Sequence, residues 1–170
     1  ANDLLEYKVS AATARTLVQK GLAEAGQKRI LRNSYVNPQK RGELFTLTDE
    51  QASSLEKINA SVDKADGKTF LLQGITGSGK TEVYIRAAAQ AVEQSKQVLM
   101  LVPEIALTAQ LVKRFKAWFG DEVAVAHSKL SQNERGDVWY KMHTHQANIL
   151  IGVRSAVFAP FKNLGLIIID

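Results

Sequence analysis

The chain has 170 residues, of which 45% are hydrophobic and 23% charged, and its formal net charge is +5. This composition predicts a globular fold with a hydrophobic core, and the lack of cysteine excludes disulfides and thiolate zinc sites. No apolar run is long enough to cross a bilayer and the first residues do not resemble a signal peptide, so we expect a cytoplasmic protein without a membrane partner.

The first 45 residues carry a positive excess, with eight Lys and Arg against four Asp and Glu. Apolar spacing predicts a short helix over 9–20 with Ser10 as its N-cap and Gly21 as its stop, and residues 28–36 predict a hairpin. A helix before a basic hairpin is typical of the end of a winged-helix domain, and a packing module with a charged surface fits the pattern equally well. In the winged-helix interpretation the side chains that would meet DNA are Arg15, Lys20, Lys28, Arg29 and Arg32.

A polar stretch over 37–43 with Pro and Gly predicts a linker, so we place a domain boundary near residue 45. The second domain then covers 46–170. It begins with Thr48 three residues before Gln51, a capping-box spacing, which predicts a helix that continues through Val62.

From residue 69 onward, apolar runs alternate with segments of helical spacing. The runs cover 69–73, 97–102, 123–126, 149–152 and 164–170, and the helical segments cover 81–93, 105–119 and 131–143. Runs that are apolar on both faces and separated by helices predict an α/β fold with a parallel sheet flanked by helices. Ligand-binding loops of such a sheet lie at the carboxyl ends of its strands.

Residues 74–81, GITGSGKT, follow the first run and open a helix, as in a phosphate-binding loop. Glycine lets the backbone approach an anion, Lys80 would contact the β- and γ-phosphates, and Thr81 would hold Mg²⁺. The alternative is a glycine-rich turn before an ordinary helix. The predicted nucleotide-binding residues of this loop are Gly74, Thr76, Gly77, Ser78, Gly79, Lys80 and Thr81.

Three other strand ends carry candidate site residues. Asp170 ends the last run as a Walker B carboxylate would, where it would bind Mg²⁺ opposite Thr81 and act with Lys80 in catalysis; otherwise it caps a turn. Thr108 and the pair Arg154 and Ser155 could bind nucleic-acid phosphate, against the alternatives of a helix start and a surface ion pair. His127 has no Cys or carboxylate nearby in sequence, which favours a structural role.

Together these motifs resemble the superfamily 2 helicases, and among them the bacterial replication-restart helicases. The resemblance covers nearly the whole chain and rests on residues 74–84 (GITGSGKTEVY), 101–108 (LVPEIALT), 151–161 (IGVRSAVFAPF) and 166–170 (LIIID). It implies a RecA-like first motor lobe that ends at the Walker B motif, with Gln51 binding adenine and the residues before 45 ending a winged-helix domain. It also implies ATP and Mg²⁺ as cofactors, zinc only in a part of the parent protein outside this chain, and 3′-to-5′ unwinding of DNA.

The partners that this resemblance implies are forked and single-stranded DNA, primosome proteins and single-stranded DNA-binding protein. Because the chain starts without Met and stops at Asp170, we expect a piece of a longer protein that binds nucleotide weakly and neither hydrolyses it efficiently nor unwinds DNA. Two other classes stay open: another P-loop DNA translocase or recombination helicase, and a DNA-binding or docking module without motor activity.

Overall fold

The computed structural model describes residues 10–24 and 46–170, which fall in two compact units, 1–31 and 32–170. In the first unit, helix α1 covers Ala11–Gln19. The Ser10 hydroxyl accepts a hydrogen bond from the Thr13 N–H at 3.1 Å, and Gly21 follows the helix with a φ of +67°. The predicted helix and both of its end signals are therefore confirmed.

The basic residues of the first unit are described only in part. Arg15 and Lys20 are exposed. The predicted hairpin with Lys28, Arg29 and Arg32, the linker and the boundary near residue 45 lie outside the described residues. The winged-helix assignment therefore stays a prediction.

The second unit alternates helices and strands along the chain. Its elements within 46–170 are α2 Asp49–Lys64, α3 Lys80–Glu93, β1 Gln97–Leu101, α4 Ala109–Phe119, β2 Val123–Ala126, α5 Gln132–His143, β3 Ile149–Gly152 and β4 Leu164–Ile169. Short 3₁₀ turns cover Glu104–Ala106, Gly120–Glu122 and Arg154–Phe158. Among 10–24 and 46–170, no helix is both long and apolar enough for a membrane span.

The four strands form one parallel sheet in the order β2-β3-β1-β4. Successive parallel strands need crossover connections, and helices α4 and α5 lie in two of these connections. The predicted α/β fold with a parallel sheet flanked by helices is confirmed.

Side chains alternate between two hydrophobic clusters, one on each face of the sheet. The first cluster combines Val98 and Ile151 of the sheet with Ile85 of α3 and Phe115 of α4. The second combines Leu99 and Leu150 of the sheet with Met142 of α5 and with Ala156 and Ala159, which follow β3. Burial on both faces explains why β1 and β3 read as continuous apolar runs.

The predicted strand over 69–73 is wrong, because the structure has no strand in that segment. Phe70 and Leu71 are 41% and 93% exposed, and β4 is the last strand on this side of the sheet formed by the described residues. An apolar run predicts a strand only if a neighbouring strand pairs with its backbone and other elements cover its side chains. Neither condition holds for 69–73 in the described part of the chain.

Candidate nucleotide and nucleic-acid site

The glycine-rich loop over 74–79 leads directly into α3. Gly77 and Gly79 have φ values of +85° and +82°, a backbone region that disfavours other residues. At Gly74 the constraint is space, because a Cβ there would lie 2.5 Å from the Ser78 Oγ. The exposed loop residues are Gly74, Ile75, Thr76, Gly77 and Ser78.

Gly79 is the N-cap of α3, so Lys80 and Thr81 are the first two residues of the helix. The first backbone N–H groups of a helix have no partners within it, and the helix dipole is positive at this end. Their position beside an exposed glycine loop suits a phosphate group. Thr81 is half-buried.

Lys80 folds its side chain back under the loop. Its Nζ donates to the Gly74 carbonyl at 2.6 Å and to the Ile75 carbonyl at 3.1 Å. An ammonium has three donors, so these two bonds leave one for an anion. The amino group that would contact phosphate therefore lies at the loop itself.

Gln51 joins the start of α2 to the phosphate loop. Its Oε1 accepts the Thr48 N–H at 3.0 Å, while the Gln51 N–H donates to the Thr48 Oγ1 at 3.3 Å, which confirms the predicted capping box. The Nε2 of the same side chain donates to the Ser78 carbonyl at 2.9 Å. A Cβ added to Gly79 would collide with this Nε2. The predicted adenine-binding residue thus contacts the loop that would hold the phosphates.

Asp170 follows β4, and its backbone N–H donates to the Leu101 carbonyl at 3.0 Å, continuing the pairing with β1. Its Oδ1 accepts a hydrogen bond of 2.9 Å from the Tyr84 hydroxyl of α3. Tyr84 lies three residues after Thr81, and residues at this spacing share one side of a helix. The contact therefore brings the carboxylate to the side of α3 that Thr81 shares with Tyr84. Partial burial, followed by the hydrogen bond to Asp170, raises the pKa of Tyr84 to about 12.

Two hard oxygen donors, the Thr81 hydroxyl and the Asp170 carboxylate, fit a Mg²⁺ ion that takes its other ligands from phosphate and water. Among residues 10–24 and 46–170, no group of three or more His, Cys, Asp or Glu could hold a metal by itself. The described residues therefore fit a metal that arrives with a nucleotide, in contrast to a metal held wholly by protein ligands.

Glu82 of α3 was not among the predicted site residues. It is 5% exposed, its Oε1 lies 3.0 Å from Arg86 Nε on the same helix, and its Oε2 lies 3.7 Å from an Nη of Arg114 on α4. This carboxylate therefore connects the first turn of α3 to α4. The position of Glu82 in the first turn after the phosphate loop could have marked it as a candidate site residue. A carboxylate that is buried there needs a cationic partner, because burial of an unpaired charge is costly.

The predicted nucleic-acid contacts lie at the carboxyl ends of β1 and β3. Thr108 caps α4 by accepting the Leu111 N–H at 3.3 Å, which leaves its hydroxyl hydrogen free to be donated. Arg154 and Ser155 are exposed on the turn after β3, and no carboxylate in the described part of the chain forms an ion pair with Arg154. Ala156 anchors this turn, since a Cβ added to Gly152 would lie 2.6 Å from the Ala156 Cβ.

The chain is similar in sequence to known proteins. The chain is 47% identical over 162 residues to the replication restart protein PriA of Bacillus subtilis, a match that covers 95% of this chain and 20% of that protein. The corresponding values are 52% over 124 residues for PriA of Chlamydia pneumoniae, covering 73% of this chain and 17% of that protein. They are 40% over 172 residues for PriA of Synechocystis, covering 99% and 20%.

The chain therefore spans a fifth or less of the length of these relatives. The profile of the DEAD/DEAH box helicases matches residues 48–170, which is the whole α/β unit described here from the capping box of α2 to Asp170. The resemblance that the motifs predicted is thereby confirmed, and the chain belongs to the DEAD/DEAH box helicase family.

Proposed function

We propose that this chain is the ATP-binding lobe of a 3′-to-5′ DNA helicase that acts in replication restart and primosome assembly. The observation that carries the proposal is the convergence of the phosphate loop, Gln51 and Asp170 around the start of α3. The similarity to replication restart proteins supports the cellular role. In this proposal the full-length protein works in the cytoplasm on forked and single-stranded DNA, with primosome proteins and single-stranded DNA-binding protein as partners.

The nucleotide would bind with its adenine at Gln51 and its phosphates at residues 74–80. Lys80 and the first N–H groups of α3 would neutralise phosphate charge, and Thr81 and Asp170 would hold Mg²⁺. The Mg²⁺ that these two residues would hold supplies positive charge, which favours phosphoryl transfer. The described residues offer Asp170 as one carboxylate at this position, so we infer that this chain alone binds nucleotide and neither hydrolyses it efficiently nor unwinds DNA.

DNA would bind along the carboxyl ends of β1 and β3. The Thr108 hydroxyl, the Arg154 guanidinium and the Ser155 hydroxyl are exposed there and suit contacts with phosphate oxygens, which position a strand without reading its sequence. We also propose that Arg29 and Arg32 add contacts with DNA. Such contacts weaken as salt concentration rises because counterions are released on binding.

The test of the nucleotide site is binding of a fluorescent ADP analogue to the 170-residue chain in the presence of Mg²⁺. We expect Lys80→Ala to lower the affinity about 10-fold or more, because a charge-assisted contact to phosphate contributes roughly 1.5–3 kcal/mol. Lys113→Ala, which removes an exposed lysine of α4, is the matched control and should keep the wild-type affinity.

Equal affinities of the wild-type chain and Lys80→Ala would contradict a nucleotide site at this loop. That result, combined with salt-dependent DNA binding by the wild-type chain, would favour a DNA-binding module without motor activity. DNA-stimulated phosphate release by the wild-type chain would contradict the inference that it does not hydrolyse nucleotide efficiently.

A further inference from the structure

The hydrogen bond between Tyr84 and Asp170 joins the helix that follows the phosphate loop, α3, to the end of β4. The Tyr84 hydroxyl donates to the Asp170 Oδ1 at 2.9 Å, and the two residues are 86 positions apart. The Asp170 backbone is held separately by its N–H bond to Leu101. Tyr84 therefore acts on the orientation of the carboxylate, since the position of the main chain is already fixed by the sheet.

The bond occupies one carboxylate oxygen and leaves the other available. Among the described residues, Tyr84 is the side chain that donates to the Asp170 carboxylate. An ionised carboxylate has two oxygens that accept independently, and a donor on one of them restricts rotation of the whole group. The Asp170 Oδ2 is thus the oxygen left for a cation.

Helix α3 holds Tyr84 in a fixed position relative to the phosphate loop. Thr81 and Tyr84 lie about one helical turn apart on the same side of α3, so the helix backbone keeps their Cα atoms at a constant separation. Tyr84 is half-buried, while Asp170 is exposed, so the tyrosine is the better fixed partner of the two.

We propose that Tyr84 is a positioning residue for the metal ligand Asp170, holding the carboxylate so that its free oxygen faces the Mg²⁺ that accompanies a nucleotide. This inference rests on the proposed function, because it assigns a role within that same site. Partners that orient a metal ligand in this way typically contribute 10- to 100-fold to metal affinity.

A different role would be purely structural, with the hydrogen bond tying the end of β4 to α3. Removal of the hydroxyl would then lower stability and leave the Mg²⁺ dependence of nucleotide binding unchanged. The two roles are separated by measuring nucleotide affinity as a function of Mg²⁺ concentration in parallel with thermal unfolding.

The experiment compares the wild-type 170-residue chain with Tyr84→Phe, Asp170→Asn and Tyr140→Phe, using a fluorescent ADP analogue. In the wild-type chain we expect Mg²⁺ to increase ADP affinity. In Tyr84→Phe the Mg²⁺ concentration that gives half of this increase should rise about 10-fold, while ADP affinity in EDTA stays at the wild-type value. Tyr140→Phe removes a hydroxyl from α5 and should keep the wild-type Mg²⁺ midpoint.

The double variant Tyr84→Phe, Asp170→Asn adds a second check. If Tyr84 acts through Asp170, removing the hydroxyl should have no further effect on the Mg²⁺ midpoint once the carboxylate is gone. Additive shifts would contradict the proposal.

A wild-type Mg²⁺ midpoint in Tyr84→Phe, with ADP bound normally, overturns the positioning role and leaves the proposed function intact. If Asp170→Asn keeps the wild-type midpoint, the positioning role falls together with the assignment of Asp170 as a Mg²⁺ ligand, while nucleotide binding at the phosphate loop stands. If the wild-type chain fails to bind ADP at all, the proposed function and this inference fall together.

Discussion

Strands β3 and β4 have similar apolar sequences and opposite surroundings. All four residues of β3 are buried, whereas Ile167 and Ile169 of β4 are 53% and 76% exposed. Strand β3 lies between β1 and β2, and β4 ends the sheet formed by the described residues. Ile167 pairs with Leu99 and therefore lies on the same sheet face as the second hydrophobic cluster, but Ile167 is not a member of that cluster.

The difference shows that the surroundings of these two strands are stabilised by different means. The β3 side depends on hydrophobic burial between helices. On the β4 side only Ile168 is buried in the first cluster, and individual polar contacts such as Gln51 with Ser78 and Tyr84 with Asp170 hold the phosphate loop and the end of the strand. Such contacts are directional and contribute about 1 kcal/mol each, so this side is the easier one to rearrange.

The largest expected effect is on stability, and it comes from replacing a buried isoleucine in β3 and an exposed isoleucine in β4 by alanine. Ile151→Ala in β3 should lower the free energy of unfolding by about 3 kcal/mol, since Ile151 is 0% exposed and a cavity would form. Ile169→Ala should change it by less than about 0.5 kcal/mol. Urea unfolding followed by circular dichroism gives both values, and Ile151→Val, at about 1 kcal/mol, covers the case in which the alanine variant does not fold. Equal losses in both alanine variants would mean that β4 is covered in solution.

A smaller effect is expected from two glycine substitutions, which separate the cost of backbone strain from the loss of the contact between Gln51 and the phosphate loop. Gly79→Ala and Gly67→Ala each place alanine at a positive φ, +82° and +66°, which should lower the free energy of unfolding by about 1 kcal/mol in both variants. Only at Gly79 would the new Cβ also displace the Gln51 amide. We therefore expect Gly79→Ala, measured with the fluorescent ADP analogue, to lose affinity and Gly67→Ala to keep it. The same loss in both variants would show that strain alone is responsible.

The smallest effect is a pH dependence at the start of the segment 66–75. The Ser61 hydroxyl, followed by the Lys68 side chain, holds the pKa of Asp66 at about 2, below its ordinary value of 3.8. Because the folded state lowers this pKa, the carboxylate stabilises the fold above about pH 4, and this contribution disappears as the pH falls from about 4 to 2.

Urea midpoints measured across this pH range should therefore fall less in Asp66→Asn than in the wild-type chain. Ser61→Ala removes the principal hydrogen bond and should reduce the difference while keeping the carboxylate. If the urea midpoints of the wild-type chain and Asp66→Asn changed with pH in the same way, the Asp66 carboxylate would not be the source of the pH dependence.

Much of the fold follows from local pattern. The capping box at Thr48 begins α2 as predicted, the helical segment predicted over 131–143 corresponds to α5, and the runs at 123–126 and 149–152 match β2 and β3 residue for residue. Both features can be predicted from the sequence, because a capping box depends on residues three positions apart and a buried strand depends on the composition of its own segment. The segment 69–73 is the exception, since its state depends on neighbours that its own residues do not specify.

The site divides in the same way. The loop glycines, Lys80 and Thr81 are adjacent in sequence, so their spacing alone predicted a phosphate site and, with the other motifs, the helicase family. The hydrogen bond from Tyr84 to Asp170, the contact of Gln51 with Ser78 and the burial of Glu82 between α3 and α4 were decided only by the tertiary structure. Each joins elements that become neighbours when helices pack on the sheet, and a pairing of this kind leaves no periodicity in the sequence.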